Sequence, residues 1–275
     1  METSALIQRI KLDHGMVKPS DDPDTRLAVV VFLSIALYNV IELAFIIYAS
    51  FKKRSGIYFW SFVVATCGIL PNCIAWLLKC FGVNPSAAFV YATMIVVGWV
   101  CMVTGQSIVL YSRLHLVDHD PSHLRFVLAM IITNVIVSHV PVIIMVYGIN
   151  STHAELYASV YSVYAKVTVT LFFVQEVVIS GLYIFATVRL FRDSIWHAKS
   201  ARQRMVRHLV IMNIIIVLLD ITILGLEYSG HYQLQTAYKG MAYSIKLKIE
   251  FRILNGLVDL ASQGGRQFNL GRRLS

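Results

Sequence analysis

Seven segments of this chain are apolar enough to cross a bilayer, and each of them carries an acid or an amide where hydrocarbon would otherwise lie. The segments are residues 27–51, 57–78, 87–111, 126–147, 165–190, 209–227 and 234–258. Most reach the roughly 20 apolar residues needed to span a hydrocarbon core of ~30 Å. Runs of that length satisfy their backbone hydrogen bonds in lipid only as helices. The expected fold is therefore all-α, a polytopic membrane protein built as a seven-transmembrane-helix bundle. Composition agrees: 57% of residues are hydrophobic, 14% are charged, and the mean hydropathy is +0.67. These values leave no room for a soluble catalytic domain. The seventh segment is the least apolar, because Lys239, Lys246, Lys248, Glu250 and Arg252 interrupt it. Alone it reads as an interfacial amphipathic helix. Partners inside the bundle are what would let it span.

Lys and Arg placement sets the expected orientation. With the N-terminus outside or lumenal and the C-terminus cytosolic, 14 of the 24 basic residues fall on the cytosolic side, Arg113 among them, and five fall outside. The division is 1–26 as a polar N-terminal tail, 27–258 as the transmembrane domain and 259–275 as a short basic cytosolic tail. The tail at 1–26 has no charged-then-apolar leader pattern, so the first span is expected to act as an uncleaved signal. Asn150-Ser151-Thr152 is the one acceptor triplet for N-glycosylation, and this orientation puts it on the lumenal face. The connection 191–208, with Trp196 and several basic residues, reads as a solvated loop or a surface-lying helix. The net charge of +9 follows from the cytosolic bias and attraction to anionic lipid, and it calls for no nucleic acid. Cys67, Cys73, Cys80 and Cys101 lack metal or redox spacing and read as small core residues.

The polar residues inside the spans recur at helical intervals. Asn213, Asp220 and Glu227 are seven apart; Lys239, Tyr243, Lys246 and Glu250 share one face; Trp99 and Gln106 repeat the step of seven; Tyr38, Asn39 and Glu42 lie together on the first span. Each stripe should point inward. Alternating chain direction puts Glu176, Asp220 and Lys246 near the midplane, with Glu42, Gln106, Asn213 and Glu250 in the cytosolic third. Interhelical hydrogen bonds of about 0.5–2 kcal/mol each account for a single buried amide. Acids ask for more, because an ionisable group at membrane depth costs several kcal/mol unless paired or facing a cavity. Lys248 and Arg252 lie on the other face of the seventh span and are expected to snorkel toward the cytosol. Of the four carboxyls at depth, Lys246 can then neutralise one or be shared between two, and at least one carboxyl should be stored neutral.

A neutral acid in a greasy cavity is a proton donor. Opening an epoxide or protonating an olefin creates a carbocation, which needs a water-poor pocket and aromatic faces. Tyr38, Trp60, Trp76, Trp99, Phe172, Phe173, Tyr183 and Tyr243 supply aromatic rings. No phosphate loop, Asp-rich diphosphate motif, haem signature or zinc motif is visible, so the expected chemistry needs no cofactor and no metal. Pro71 with Asn72, and Pro141 two residues after His139, should kink their helices and open space. His139 reads as a hydrogen-bonded structural residue or, alternatively, a proton relay.

Several runs look familiar as a set: Leu-Tyr-Asn-Val-Ile-Glu-Leu at 37–43, residues 57–71, Gly98-Trp99 with Met-Val-Thr-Gly-Gln-Ser at 102–107 and Leu-Tyr-Ser-Arg-Leu at 110–114, Gln175-Glu176 with Ile-Ser-Gly-Leu-Tyr at 179–183, and residues 243–251. Together they resemble a fungal family of seven-helix integral membrane proteins. That family is similar to the membrane-bound terpene cyclases of meroterpenoid pathways, which act on prenylated, often epoxidised substrates. The resemblance implies acid-initiated cyclisation of a hydrophobic prenylated small molecule, in the endoplasmic reticulum membrane. No catalytic motif transfers residue by residue. Spacing and depth select the candidates: Asp220 or Glu176 as acid, with Glu42 and Gln106 polarising or orienting the substrate oxygen. Trp99, Phe172 and Tyr243 shield the cation, and Asn39, Lys246 and Glu250 complete the lining. The competing expectations are an orphan seven-helix receptor, a transporter or structural membrane protein, and a retinal protein with its Schiff base at Lys246. The receptor lacks an E/DRY-type triplet and an NPxxY-type run.

Overall fold

The computed structural model describes residues 23–50, 56–81, 88–118, 120–149, 154–193 and 199–273. These form seven α-helices: α1 (Pro23–Ser50), α2 (Ile57–Cys80), α3 (Ala88–Val117), α4 (Pro121–Ile149), α5 (Ala154–Asp193), α6 (Lys199–Tyr228) and α7 (Tyr232–Arg273). Among the described residues there is no strand. Six helices, α1 to α6, hold a stretch long and apolar enough to cross a membrane. In α7 the charges named above interrupt the apolar run, as the sequence suggests. The N-terminal residues 1–22, Trp196 and Asn150 lie outside the described residues.

Two boundaries differ from expectation. Most of 191–208 continues α5 and α6 instead of forming a loop or a separate surface helix. The tail at 259–275 is helical through Arg273 as a continuation of α7. Residues 191–208 contain no Gly or Pro to end a helix, so α5 and α6 run on past their apolar stretches there, whereas α7 continues through Gly264, Gly265 and Gly271.

Consecutive helices are neighbours around a closed ring, α7 returns to α1, and α3 also touches α5 and α7. The C-terminal ends of α2, α4 and α6 and the N-terminal ends of α3, α5 and α7 share one face with the start of α1, where the Arg26 guanidinium donates to the Cys80 carbonyl. The opposite helix ends share the other. Large apolar side chains point outward: Phe45, Ile132, Ile136, Ile144, Phe185 and Leu218 are all exposed. Asn39, Gln106, Arg113, Glu176, Asp220, Lys246 and Glu250 are buried. Polar groups inside and hydrocarbon outside invert the arrangement of a soluble protein, and a bilayer is the environment that suits such a surface.

The tightest packing joins α2 to α3 through small residues. A Cβ on Gly98 would lie 2.7 Å from the Gly68 carbonyl oxygen, and one on Gly105 would lie 2.7 Å from the Ala65 Cβ. Any side chain there would push the helices apart, so glycine lets the backbones meet. Pro71 and Pro141 both lie inside continuous helices. All four cysteines are free thiols, Cys73 buried and Cys67 exposed.

Candidate functional site

The centre of the bundle is organised by one cation. Lys246, on the inward stripe of α7, is fully buried, and its Nζ donates to Glu176 Oε2 at 2.8 Å and to Asp220 Oδ1. It also sits 4.5 Å from the centroid of the Tyr243 ring, one turn earlier on the same face. Asp220 comes from the stripe of α6 and Glu176 from α5, and Asp220 Oδ2 has no partner. Two carboxyls share one ammonium here. If both were ionised the cluster would keep a net negative charge in a low-dielectric interior. A proton on one of the two cancels it.

This cluster borders a cavity of about 30 Å³ walled by Trp99, Phe172, Phe173 and Tyr243, with Glu176 and Asp220 among its lining. A second cavity adjoins it on the side of the α6–α7 turn, and the two share Trp99, Thr168, Val169 and Lys239. The second encloses about 70 Å³, and its empty space reaches about 720 Å³ when the open mouth is counted. Glu227 and Lys239 line it as a loose pair, Nζ to Oε2 3.7 Å. Asn72 Oδ1 and Thr168 Oγ1 are buried there without a partner.

Toward the opposite face the interior is closed by direct contacts. Arg113, fully buried in the last turns of α3, donates to Glu250 Oε2 at 2.7 Å and to Asn213 Oδ1 at 2.9 Å. Its guanidinium carbon lies 4.0 Å from the centroid of the Tyr183 ring. A planar fork with several donors suits this bridging of three helices better than an ammonium would. A third polar link runs from Asn134 Nδ2 to Gln175 Oε1 at 2.9 Å, and from Gln175 Nε2 to Ser107 Oγ at 2.8 Å. His139 packs 4.7 Å from Trp99, ring to ring, and its Nδ1 lies 3.0 Å from the Val135 carbonyl oxygen. That backbone bond fits the structural role.

Six of the sequence candidates meet: Trp99, Phe172, Glu176, Asp220 and Tyr243 line one cavity, and Lys246 is bonded to its two acids. The others do not, and the acids of α1, α5, α6 and α7 fall into separate clusters. Glu42 is bonded to Lys248 on the α1–α7 side, with its side chain 45% exposed. Lys248 also donates to Asn39 Oδ1 at 2.6 Å, and Asn39 Nδ2 donates to Ser244 at 2.9 Å. Lys248 therefore turns toward α1 instead of reaching for the cytosol, because a carboxylate within reach outweighs a long path to water. Glu250 belongs to Arg113. Gln106 is fully buried, both its amide atoms lack a partner, and it lines neither cavity. Tyr38 and Trp60 face outward, so they shield nothing inside.

Arg113 is the main residue that sequence reading misplaced, assigning it to a cytosolic loop. Its signal was present: Trp99, Gln106 and Arg113 continue one step of seven, so an extra turn of α3 brings the guanidinium inward. Lys239 with Glu227, and Asn72 with Thr168, were likewise absent from the candidate set. Among the described residues no three His, Cys, Asp or Glu side chains form a metal-holding group.

A family profile described as "Domain of unknown function (DUF7703)" matches residues 23–265. Comparison with curated proteins and with solved structures gives no match.

Proposed function

The chain belongs to the DUF7703 family, whose description assigns no activity, and we propose that it is an integral-membrane acid–base enzyme of the cyclase or isomerase type. One observation carries this reading: the Glu176–Asp220 pair, sharing Lys246, borders a cavity walled by Trp99, Phe172, Phe173 and Tyr243. The protonated member of the pair gives its proton to an epoxide oxygen or an olefinic carbon of a lipid-soluble substrate. Lys246 balances the carboxylate left behind, and the aromatic faces lower the energy of the cation that forms. After ring closure the cation loses a proton to that carboxylate. The pair returns to its starting state and the product is an isomer of the substrate, so no cofactor is consumed.

The substrate class is a prenylated small molecule, as the resemblance of the sequence implies. The cavity at the acids takes its reacting end, and the larger adjoining cavity takes the rest. In this reading α7 is a seventh span, with Lys239, Lys246, Lys248 and Glu250 paired to Glu227, to Glu176 and Asp220, to Glu42 and to Arg113, and with Arg252 on its exposed face. The N-terminus is lumenal, and the membrane is that of the endoplasmic reticulum. Neither Glu42, Gln106, Asn39 nor Glu250 has a catalytic part, since each lies away from the cavity edge.

The test uses microsomes carrying the chain and a farnesylated epoxide. The expected product is a cyclised isomer of unchanged mass, lost in Asp220→Asn and in Glu176→Gln. Intact turnover in both variants would sink the acid assignment. A receptor is the second reading, favoured by the arrangement of an open cavity near one face and a sealed Arg113–Glu250–Asn213 cluster near the other. Ligand-dependent coupling to a G protein, with no product in the same membranes, would select it.

A further inference from the structure

We propose that the two adjoining cavities form a hydrated proton path from the α6–α7 face to the Asp220–Glu176 pair. Four buried oxygens along them ask for water. Asn72 Oδ1 and Thr168 Oγ1 have no partner in the outer cavity, Asp220 Oδ2 has none in the inner one, and Glu227 Oε2 lies 3.7 Å from Lys239 Nζ, too far for a hydrogen bond. Buried polar atoms without protein partners are satisfied by ordered water where there is room. The inner cavity of about 30 Å³ has room for one or two molecules, and the outer one of about 70 Å³ for a few more. Thr168 lines both cavities and is positioned to hand a proton between them, because a hydroxyl both donates and accepts.

The charged and titratable groups around the end of this path are Glu176 from α5, Lys246, Lys239 and Tyr243 from α7, and Glu227 from α6. His139 of α4 is turned onto Trp99 and Phe172 and stands behind the aromatic wall. On the far side of Lys246 the fully buried Arg113 donates to both Glu250 and Asn213; Arg113 Nε and Glu250 Oε1 have no protein partner, but none of the three residues lines either cavity. Access is thus one-sided, and Asp220 is the group that water reaches. Any process that spends the pair's proton, whether catalytic or a ligand-driven switch, is then reset from the α6–α7 face.

The full chain in lipid nanodiscs, without substrate, tests this by infrared spectroscopy. A carboxylic C=O band should be present and should vanish in Asp220→Asn or Glu176→Gln. On transfer to D₂O it should shift within the mixing time. Filling the outer cavity by Ala92→Leu with Ala165→Leu should slow that shift about tenfold or more, toward the rate of sub-global opening. Thr168→Val, which keeps the volume and removes the hydroxyl, should slow it too, and it decides the matter if the double variant fails to fold. The path is overturned if the band is missing, if it shifts only as slowly as the core amides, or if the deciding variant exchanges as fast as the unaltered chain. Because no substrate is used, failure here and failure of the cyclisation assay are separate results.

Discussion

Arg113 shows how one side chain ties three helices together at membrane depth. Its bonds to Glu250 and Asn213 and its packing on Tyr183 are all without solvent. Removing one partner of such a pair leaves an uncompensated charge, at a cost of about 3–5 kcal/mol. Arg113→Ala should therefore lower stability by that order in detergent thermal unfolding, while Arg113→Leu combined with Glu250→Leu should recover much of the loss. A small effect of the single change would show that water reaches the cluster. At the central pair, Asp220→Asn and Glu176→Gln each remove a proton donor and should cut turnover by about 10²–10⁴. Gln106 has no comparable account: both its amide atoms are buried and partnerless, and we have no physical explanation for them.

At the scale of elements, the α3–α4 turn is written in local chemistry. Asp120 caps α4 by accepting the Ser122 N–H at 2.9 Å, with Pro121 at the first helical position. Asp118 accepts the Asp120 N–H at 3.0 Å and lies 2.8 Å from His123 Nδ1. Partial burial alone would raise its pKa. The Asp120 N–H, His123 and the Arg189 charge outweigh burial and hold it below the usual carboxylate range. A group whose folded value is depressed contributes stability at all pH above its unfolded value and loses it as pH falls through the folded one. The turn should therefore stay closed at neutral pH and loosen only on acidification below the ordinary carboxylate range. Amide exchange at Asp120 and Ser122 measures this; Asp118→Asn should flatten the dependence, and an unchanged profile would remove Asp118 from the account.

At the scale of the whole molecule, the interior has a direction: open cavity toward the turns α2–α3, α4–α5 and α6–α7, closed charge cluster toward the others. Which face is lumenal follows from Asn150, which lies in the chain between α4 and α5. If the N-terminus is lumenal, Asn150 is exposed to glycosylation, and endoglycosidase treatment should increase gel mobility in the unaltered chain but not in Asn150→Gln. Were a sequon engineered between α3 and α4 to be glycosylated in its place, the orientation would be reversed. The cavity mouth would then face the cytosol.

Helix content, a bilayer setting and the inward stripes of α3, α6 and α7 were legible from spacing, because 3.6 residues per turn fixes which side chains share a face before any neighbour is known. Trp99, Asp220, Tyr243 and Lys246 lie on those stripes, whereas the stripe read on α1 leaves Tyr38 facing outward. What spacing cannot fix is which stripe meets which, since partner choice depends on helix rotation, vertical register and the reach of long side chains. Only the tertiary structure therefore pairs Lys248 with Glu42, turns Arg113 inward onto Glu250, and leaves Glu176 and Asp220 sharing one ammonium. A charge in hydrocarbon takes the nearest opposite charge that packing brings within reach, and that is a property of seven helices together, not of any one of them.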